Sequence, residues 1–330
     1  MRVSVLGAGS FGTTMASLVS GHNETMLWGR RQDVVDEINQ HHTNSRYLPG
    51  CTLPEQLHAT ADFAEAVSRA GVLIMGVPVH AFRATLVEAR PFLPPWIPIV
   101  SLAKGLEEGT MLRMTQVIKE ELPGHPAAAL AGPNIAREIM AGMAAASVIA
   151  TEDPSVGTEL QQVLRRGLFR VYYNHDVISC ELGGALKNVI AIACGVAQGI
   201  GTGDNTLATM MTRGLAELTR LGVAMGGEAS SFAGLTGMGD LIVTCMSPHS
   251  RNRHVGEQLG RGRPLDEIVA DMNMVAEGIK TAPTVIRLAE KYGVTMPICQ
   301  EIEQVIRGKM TGGQAYRGLY PPAQHEADPG

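Results

Sequence analysis

The apolar positions of this chain follow two successive patterns. Up to about residue 178, short apolar runs alternate with segments of helical period. Val3, Val5 and Leu6 make a compact, β-branched apolar run, the signature of a strand covered on both faces. Residues 24–28, 72–78, 97–103, 127–131, 146–150 and 169–173 read as further strands. Between them, residues 34–38, 62–68, 79–89, 110–122 and 154–165 read as helices, with Thr110 and Asp153 as start signals. Residues 44–50 read as a loop because they close on Pro49-Gly50. Strands alternating with helices predict an α/β fold with a doubly wound sheet.

Beyond residue 178 the alternation stops. Helical windows follow one another at 181–198, 207–221, 264–271, 281–292 and 297–307, separated by loops bearing glycine or proline. The chain therefore reads as two domains, 1–178 and 179–330, the second mostly α-helical. Residues 314–330 are polar, contain Pro321-Pro322, and are expected to form a frayed tail.

The first strand runs into Gly7, Gly9 and Gly12, the pattern G-x-G-x-x-G, and then into the apolar helical residues Met15, Ala16, Leu18 and Val19. Strand, glycine turn and helix in that order are the context of a dinucleotide fingerprint, which makes the sheet Rossmann-like. Gly7 permits the tight turn, Gly9 lets the backbone approach a pyrophosphate, and Gly12 lets the helix pack on the strand. The bland alternative is an ordinary glycine turn. After the second strand stand Gly29, Arg30 and Arg31. An acidic residue there would bind a ribose 2′-hydroxyl; arginines suit a 2′-phosphate, so NADP is favoured and NAD stays open. The competing reading of Arg30 and Arg31 is a solvated helix start.

Composition narrows the rest. Across 330 residues, 45% are hydrophobic and 18% charged, as in a globular protein with a large core. A net charge of −5 argues against nucleic-acid binding. No apolar stretch is expected to reach the ~18 residues of a membrane span, and no leader is expected before the first strand. The five cysteines are scattered without C-x-x-C spacing, which fits a reducing, cytoplasmic setting and no cysteine-based metal site.

Ligands of open α/β sheets lie beyond the carboxyl ends of the strands. Lys104-Gly105 and Gly132-Pro133-Asn134 occupy two such ends. Lys104 suits an anionic or carbonyl substrate, although a surface lysine is the commoner case. In the helical half, Lys187 stands inside Gly183-Gly184-Ala185-Leu186-Lys187-Asn188-Val189-Ile190, a window apolar nearly all round. Gly183 and Ala191 flank it on one face and leave room beside the ammonium. Desolvation and a second cation such as Lys104 would lower its pKa and suit it to general acid/base work; a snorkelling or ion-paired lysine is the alternative. Asp240, among glycines ahead of an apolar run, could hold that ammonium, hold a substrate hydroxyl, or cap a helix. Ser250, Arg251 and Asn252 open a further apparent helix, a setting for a phosphate or for an ordinary cap.

Together with Leu27-Trp28-Gly29-Arg30, Tyr47-Leu48-Pro49-Gly50, Gly203-Asp204-Asn205-Thr206, Gly237-Met238-Gly239-Asp240 and Ser247-Pro248-His249-Ser250, these segments make the chain recognisable. Over residues 1–310 it resembles the bacterial type of NAD(P)-dependent glycerol-3-phosphate dehydrogenase. The resemblance implies reversible hydride transfer between NAD(P)H and dihydroxyacetone phosphate, giving sn-glycerol 3-phosphate for glycerophospholipid synthesis. It implies Lys187 as proton donor and acceptor, with Lys104 and Asp240 around the reacting carbonyl. It implies Gly132, Asn134, Ser250, Arg251 and Asn252 as substrate contacts. Cofactor contacts would be Gly7, Gly9, Ser10, Phe11, Gly12, Arg30, Arg31, Lys104, Ala136, Arg251, Val275 and Glu277. The sequence departs from the family at Asn134-Ile135, where serine-phenylalanine is usual, and at Phe11, where tryptophan or tyrosine is common. A homodimer is expected by analogy, and no metal. Two other readings stay open at this point: a related two-domain dehydrogenase of 3-hydroxy acids, and a non-catalytic dinucleotide sensor.

Overall fold

A computed structural model describes residues 1–272 and 276–318. It contains two compact units. The first comprises Met1–Glu107 and Leu112–Val177; the second comprises Glu108–Met111 and the chain from Ile178 onward. The short segment Glu108–Met111, expected within the first domain, thus groups with the second unit.

The first unit is built on one sheet. Its strands are β1 (Arg2–Leu6), β2 (Glu24–Trp28), β3 (His58–Thr60), β4 (Val72–Met75), β5 (Ile99–Ser101), β6 (Ala127–Ala131), β7 (Ala145–Ala150) and β8 (Phe169–Asn174). Their order is β3-β2-β1-β4-β5-β6-β7-β8. All neighbours are parallel except β6 and β7, which are antiparallel. The first six strands follow the doubly wound order in which the chain reverses direction between β1 and β4, the place where such sheets bind dinucleotides. Alternation sends Val3, Val5, Val72 and Ile74 into one apolar layer and Leu6, Leu73 and Met75 into the other. Both faces are covered, which is why β4 reads as an unbroken apolar run and β1 is broken only by Ser4 after its first residue. Each fully buried aliphatic side chain contributes roughly 1.5–3 kcal/mol.

Two expectations for this unit change. Strand β3 carries the sequence His58-Ala59-Thr60, too short and too polar to show in the pattern. The helix expected from Thr110 begins at Met114. Gly109 and Met111 have φ of 89° and 63°, a left-handed backbone that a helix cannot include. Arg113 is the true N-cap, with Gln116 bonding back to its backbone N–H.

The second unit, among the described residues, is helical. Its central helix, Val177–Gly199, is long and apolar enough in composition to cross a membrane, contrary to the expectation that no such stretch exists. However, 89% of its most apolar window is buried inside the protein, as in the core helix of a globular domain. Helix Arg251–Gly260 lies against it backbone to backbone. A Cβ on Gly195 would sit 2.1 Å from the Arg253 carbonyl oxygen, and one on Gly256 would sit 2.0 Å from that of Ile192. The expected tail also changes: Gln314 lies in a helix, Gly312–Gly318, while residues 319–330 lie outside the described residues.

Candidate active site

In the first unit, the glycine turn is closed toward the protein and open at one point. Gly7 has φ of 119°, and a Cβ there would lie 2.7 Å from the Gly76 carbonyl carbon. A Cβ on Gly12 would lie 2.0 Å from the Gly7 oxygen. Gly9, by contrast, has open space within 4 Å of where its Cβ would stand. Gly9 is also the N-cap of helix Ser10–Ser20, so Ser10, Phe11 and Gly12 begin that helix. The first N–H groups of a helix lack intrahelical partners, and the macrodipole adds positive potential. An open, positively polarised turn of this kind fits the pyrophosphate of a dinucleotide.

Sequence reasoning missed what holds this turn. Asn44, fully buried in the segment read only as a loop, donates from Nδ2 to the Ala8 carbonyl at 2.9 Å and to Thr13 Oγ1 at 2.9 Å. Glu37 fixes the approach to Asn44 by accepting from the Ser45 N–H at 2.7 Å and from Thr43 Oγ1 at 2.8 Å. Desolvation pushes the Glu37 carboxyl up, but the bonds from Ser45 and Thr43 outweigh it and hold its pKa below the ordinary value. Only tertiary proximity could have revealed Asn44, because its partners are 31 and 36 residues away.

Beyond β2, Arg30 is exposed. Arg31 is the N-cap residue of helix Gln32–His41, as the bland reading had it, and it pairs with Asp33. Beyond β5 and β6, two predicted residues meet: Lys104 Nζ donates to the Gly132 carbonyl at 2.7 Å. Gly132 itself has φ of 128°. Asn134 Oδ1 accepts from Ser147 Oγ, and its Nδ2 is buried with no hydrogen-bond partner among the described residues. An unsatisfied buried donor costs ~1–3 kcal/mol, and a hydrogen-bond acceptor placed there would recover that cost. Ala136 opens the short helix Ala136–Met140.

In the second unit, Lys187 and Asp240 are brought together as the sequence allowed. Lys187 is 4% exposed and Asp240 1%. Lys187 Nζ donates to Asp240 Oδ1 and, at 2.6 Å, to Thr244 Oγ1. The Thr244 hydroxyl donates to the Asp240 carbonyl at 2.6 Å, so the lone pairs of its oxygen serve the ammonium. Thr244 was not singled out in the sequence; its spacing of four from Asp240 on one helix was the available signal. Asp240 opens helix Asp240–Met246, where the macrodipole favours its charge, directly after the π-helix Leu235–Gly239. A buried pair needs this satisfaction, because removing one partner leaves an uncompensated charge worth ~3–5 kcal/mol.

The phosphate candidates separate. Ser250 caps helix Arg251–Gly260 by accepting from the Arg253 N–H. The Asn252 amide is committed to two helices: Nδ2 donates to Asn188 Oδ1 at 2.9 Å, and Oδ1 accepts from the Gly278 N–H at 2.9 Å. Of the three, Arg251 is the exposed one. Desolvation lowers the Arg251 pKa from its ordinary value, and the charge of Glu277, the first residue of helix Glu277–Tyr292, acts against that. Val275 lies outside the described residues.

Two family models match. Residues 2–157 match the N-terminus of NAD-dependent glycerol-3-phosphate dehydrogenase, and residues 176–317 match its C-terminus. The chain belongs to this family. It is thus an NAD(P)-dependent oxidoreductase that interconverts dihydroxyacetone phosphate and glycerol 3-phosphate. A relative from Sphingopyxis alaskensis, named glycerol-3-phosphate dehydrogenase [NAD(P)+] 2, is 56% identical over 100% of this chain and 99% of its own. One from Mycobacterium avium, named glycerol-3-phosphate dehydrogenase [NAD(P)+], is 53% identical over 96% of this chain and 94% of its own. Among solved structures, glycerol-3-phosphate dehydrogenase of Coxiella burnetii superposes with a TM-score of 0.92 at 34% identity, covering 96% of this chain and 98% of that one. A ketopantoate reductase of Ralstonia eutropha, at 15% identity and a TM-score of 0.62, shares the fold alone over 97% of this chain and 100% of that one.

Proposed function

We propose that Lys187 is the proton donor and acceptor of this dehydrogenase. The observation that carries the assignment is a buried ammonium that donates to the Asp240 carboxylate and to the Thr244 hydroxyl, whose own proton is directed elsewhere. Bound NAD(P)H supplies the hydride. As charge grows on the substrate oxygen, the Lys187 ammonium stabilises it and gives up a proton; in reverse, the neutral amine takes the hydroxyl proton. Asp240 favours the charged form of the lysine and fixes its direction, and Thr244 holds the same nitrogen from a second side. Lys104 and Gly132 orient the substrate, and Asn134 Nδ2, which has no partner among the described residues, offers it a hydrogen bond. Arg251 binds the substrate phosphate, turning remote binding energy into orientation. Ser250 and Asn252 support it by fixing the start of its helix.

In this reading, residues 1–178 form the dinucleotide-binding domain, and the helical remainder carries the proton-transfer and phosphate residues. Gly7, Gly9, Ser10, Phe11 and Gly12 cradle the pyrophosphate, and Arg30 and Arg31 favour NADP over NAD. Ala136, Val275 and Glu277 complete the cofactor contacts. The product is the phosphorylated glycerol on which glycerophospholipids are built, which supports a role in their synthesis. Five free cysteines suit a reducing cytoplasm. A homodimer follows by analogy with other helical second domains.

An absorbance assay tests the reading directly. NADPH oxidation is expected with dihydroxyacetone phosphate, and at least ~10-fold weaker with unphosphorylated dihydroxyacetone, as the loss of a charged contact requires. Faster turnover of a 3-hydroxy acid would remove Arg251 from its role.

A further inference from the structure

The two arginines after β2 are not equivalent. Arg31 Nε donates to Asp33 Oδ1 at 3.0 Å, and Nη2 donates to Oδ2 at 2.7 Å. Both guanidinium edges used are therefore committed to one carboxylate, in the fork-to-fork geometry that a phosphate would also seek. The pairing is mutual: Asp33 raises the Arg31 pKa, and Arg31 lowers that of Asp33. Arg30, one residue earlier, is exposed and makes no hydrogen bond or ion pair among the described residues.

We propose that Asp33 is a specificity-determining residue for the cofactor. By holding Arg31 it leaves Arg30 as the ready cation for a 2′-phosphate, and it sets a graded preference for NADPH over NADH. This rests on the reading of Arg30 and Arg31 as a 2′-phosphate subsite. A phosphate that recruits Arg31 must displace Asp33 and then tolerate its negative charge nearby. NADH, which has only a hydroxyl at that position, meets neither cost. The pair is solvent-exposed, with side chains 47% and 61% accessible, so it restrains Arg31 without locking it. Exposed pairs of this kind shift an equilibrium by about two- to fivefold. The acidic residue thus stands in the first turn of the next helix, where it acts through an arginine, and not at the strand end, where it would recognise a ribose hydroxyl.

The test uses the full-length protein and direct binding. NADPH and NADH are titrated by fluorescence into the wild type and into Asp33→Asn, Arg30→Ala, Arg31→Ala and Asp33→Asn/Arg31→Ala. Adenosine 2′,5′-bisphosphate is titrated by calorimetry as a probe of the phosphate alone. Asp33→Asn is expected to raise affinity for NADPH relative to NADH by about two- to fivefold, and to tighten the bisphosphate equally. Adding Arg31→Ala should erase that gain. Arg30→Ala should lower the NADPH-to-NADH affinity ratio by about tenfold or more. If Asp33→Asn leaves the ratio unchanged or lowers it while Arg30→Ala collapses it, the role of Asp33 is overturned and the subsite stands. If no variant moves the ratio, the subsite itself is wrong.

Discussion

The glycine turn of the first unit and the lysine centre of the second solve opposite problems. The turn works through backbone: Gly7 and Gly12 are pressed against carbonyls with no room for a Cβ, and Gly9 is left open. Its residues are neighbours in the chain, so the geometry is written in a few consecutive positions. The lysine centre works through side chains. Lys187 meets Asp240 and Thr244 across 53 and 57 residues, and it depends on two helices holding their mutual register. A backbone site tolerates almost no added atom, whereas a side-chain site can lose a group and keep its shape. The two should therefore fail in different ways.

The sharpest break in this contrast is Lys187→Ala. It is expected to lower kcat by roughly 10²–10⁴ while NADPH affinity stays near that of the wild type. Steady-state rates beside a fluorescence titration check both halves, and an active variant would end the proton-transfer role. Arg251→Ala comes next, with kcat/KM for dihydroxyacetone phosphate reduced about 10- to 100-fold, the scale of one charged hydrogen bond. A normal kcat/KM would remove the phosphate assignment. Gly12→Ala should do the reverse of Lys187→Ala. Its methyl would meet the Gly7 oxygen, and strain of ~1–3 kcal/mol should appear as weaker NADPH binding and a lower Tm. Tight binding in that variant would show that the turn is less closed than its contacts indicate.

A smaller effect concerns Glu217, which the reaction does not use. It is buried and accepts from the Ile298 N–H at 2.7 Å and the Cys299 N–H at 3.3 Å, at the start of helix Pro297–Ile306. Burial raises its pKa despite those bonds. A carboxyl raised in the folded state contributes stability that is complete below its unfolded value of about 4.3 and is lost as pH rises through the folded value. Glu217→Gln stays neutral throughout. Its Tm relative to the wild type is therefore expected to climb as pH rises above about 4.3; a flat difference would mean that the Glu217 carboxyl is not raised in the folded state. The smallest prediction concerns thiols. Contact with Cys194 and burial push the Cys245 thiol up, burial does the same to Cys299, and Cys51 alone is only half-buried. A thiol reagent at neutral pH should label Cys51 first and the rest only on unfolding.

Legibility followed the same divide. Strands β4 and β6 were readable because burial on both faces leaves them no polar position, and β1 because Val3, Val5 and Leu6 surround the single buried Ser4. Strand β3 was not, being a three-residue edge strand with polar ends. The start of helix Met114–Glu121 was misplaced because the left-handed turn at Gly109 and Met111 leaves no fixed mark in composition. Asn252 read as a phosphate ligand because an amide beside an arginine at a helix start has that chemistry; in the fold both ends of the amide join helices. The membrane-length apolar run was missed for the opposite reason. Lys187 and Glu181 interrupt it in sequence, while the fold buries both.

By itself, the sequence determined the β-α alternation, the glycine turn and the presence of a lysine in an apolar helix, since these follow from local sterics and from which side chains leave water. The fold alone decided that Asp240 and Thr244 share that lysine, that Asn44 braces the turn, and that Asp33 rather than solvent holds Arg31. Those pairings depend on which distant segments pack together, and hydrogen bonds of about 3 Å are set by that packing and not by spacing along the chain.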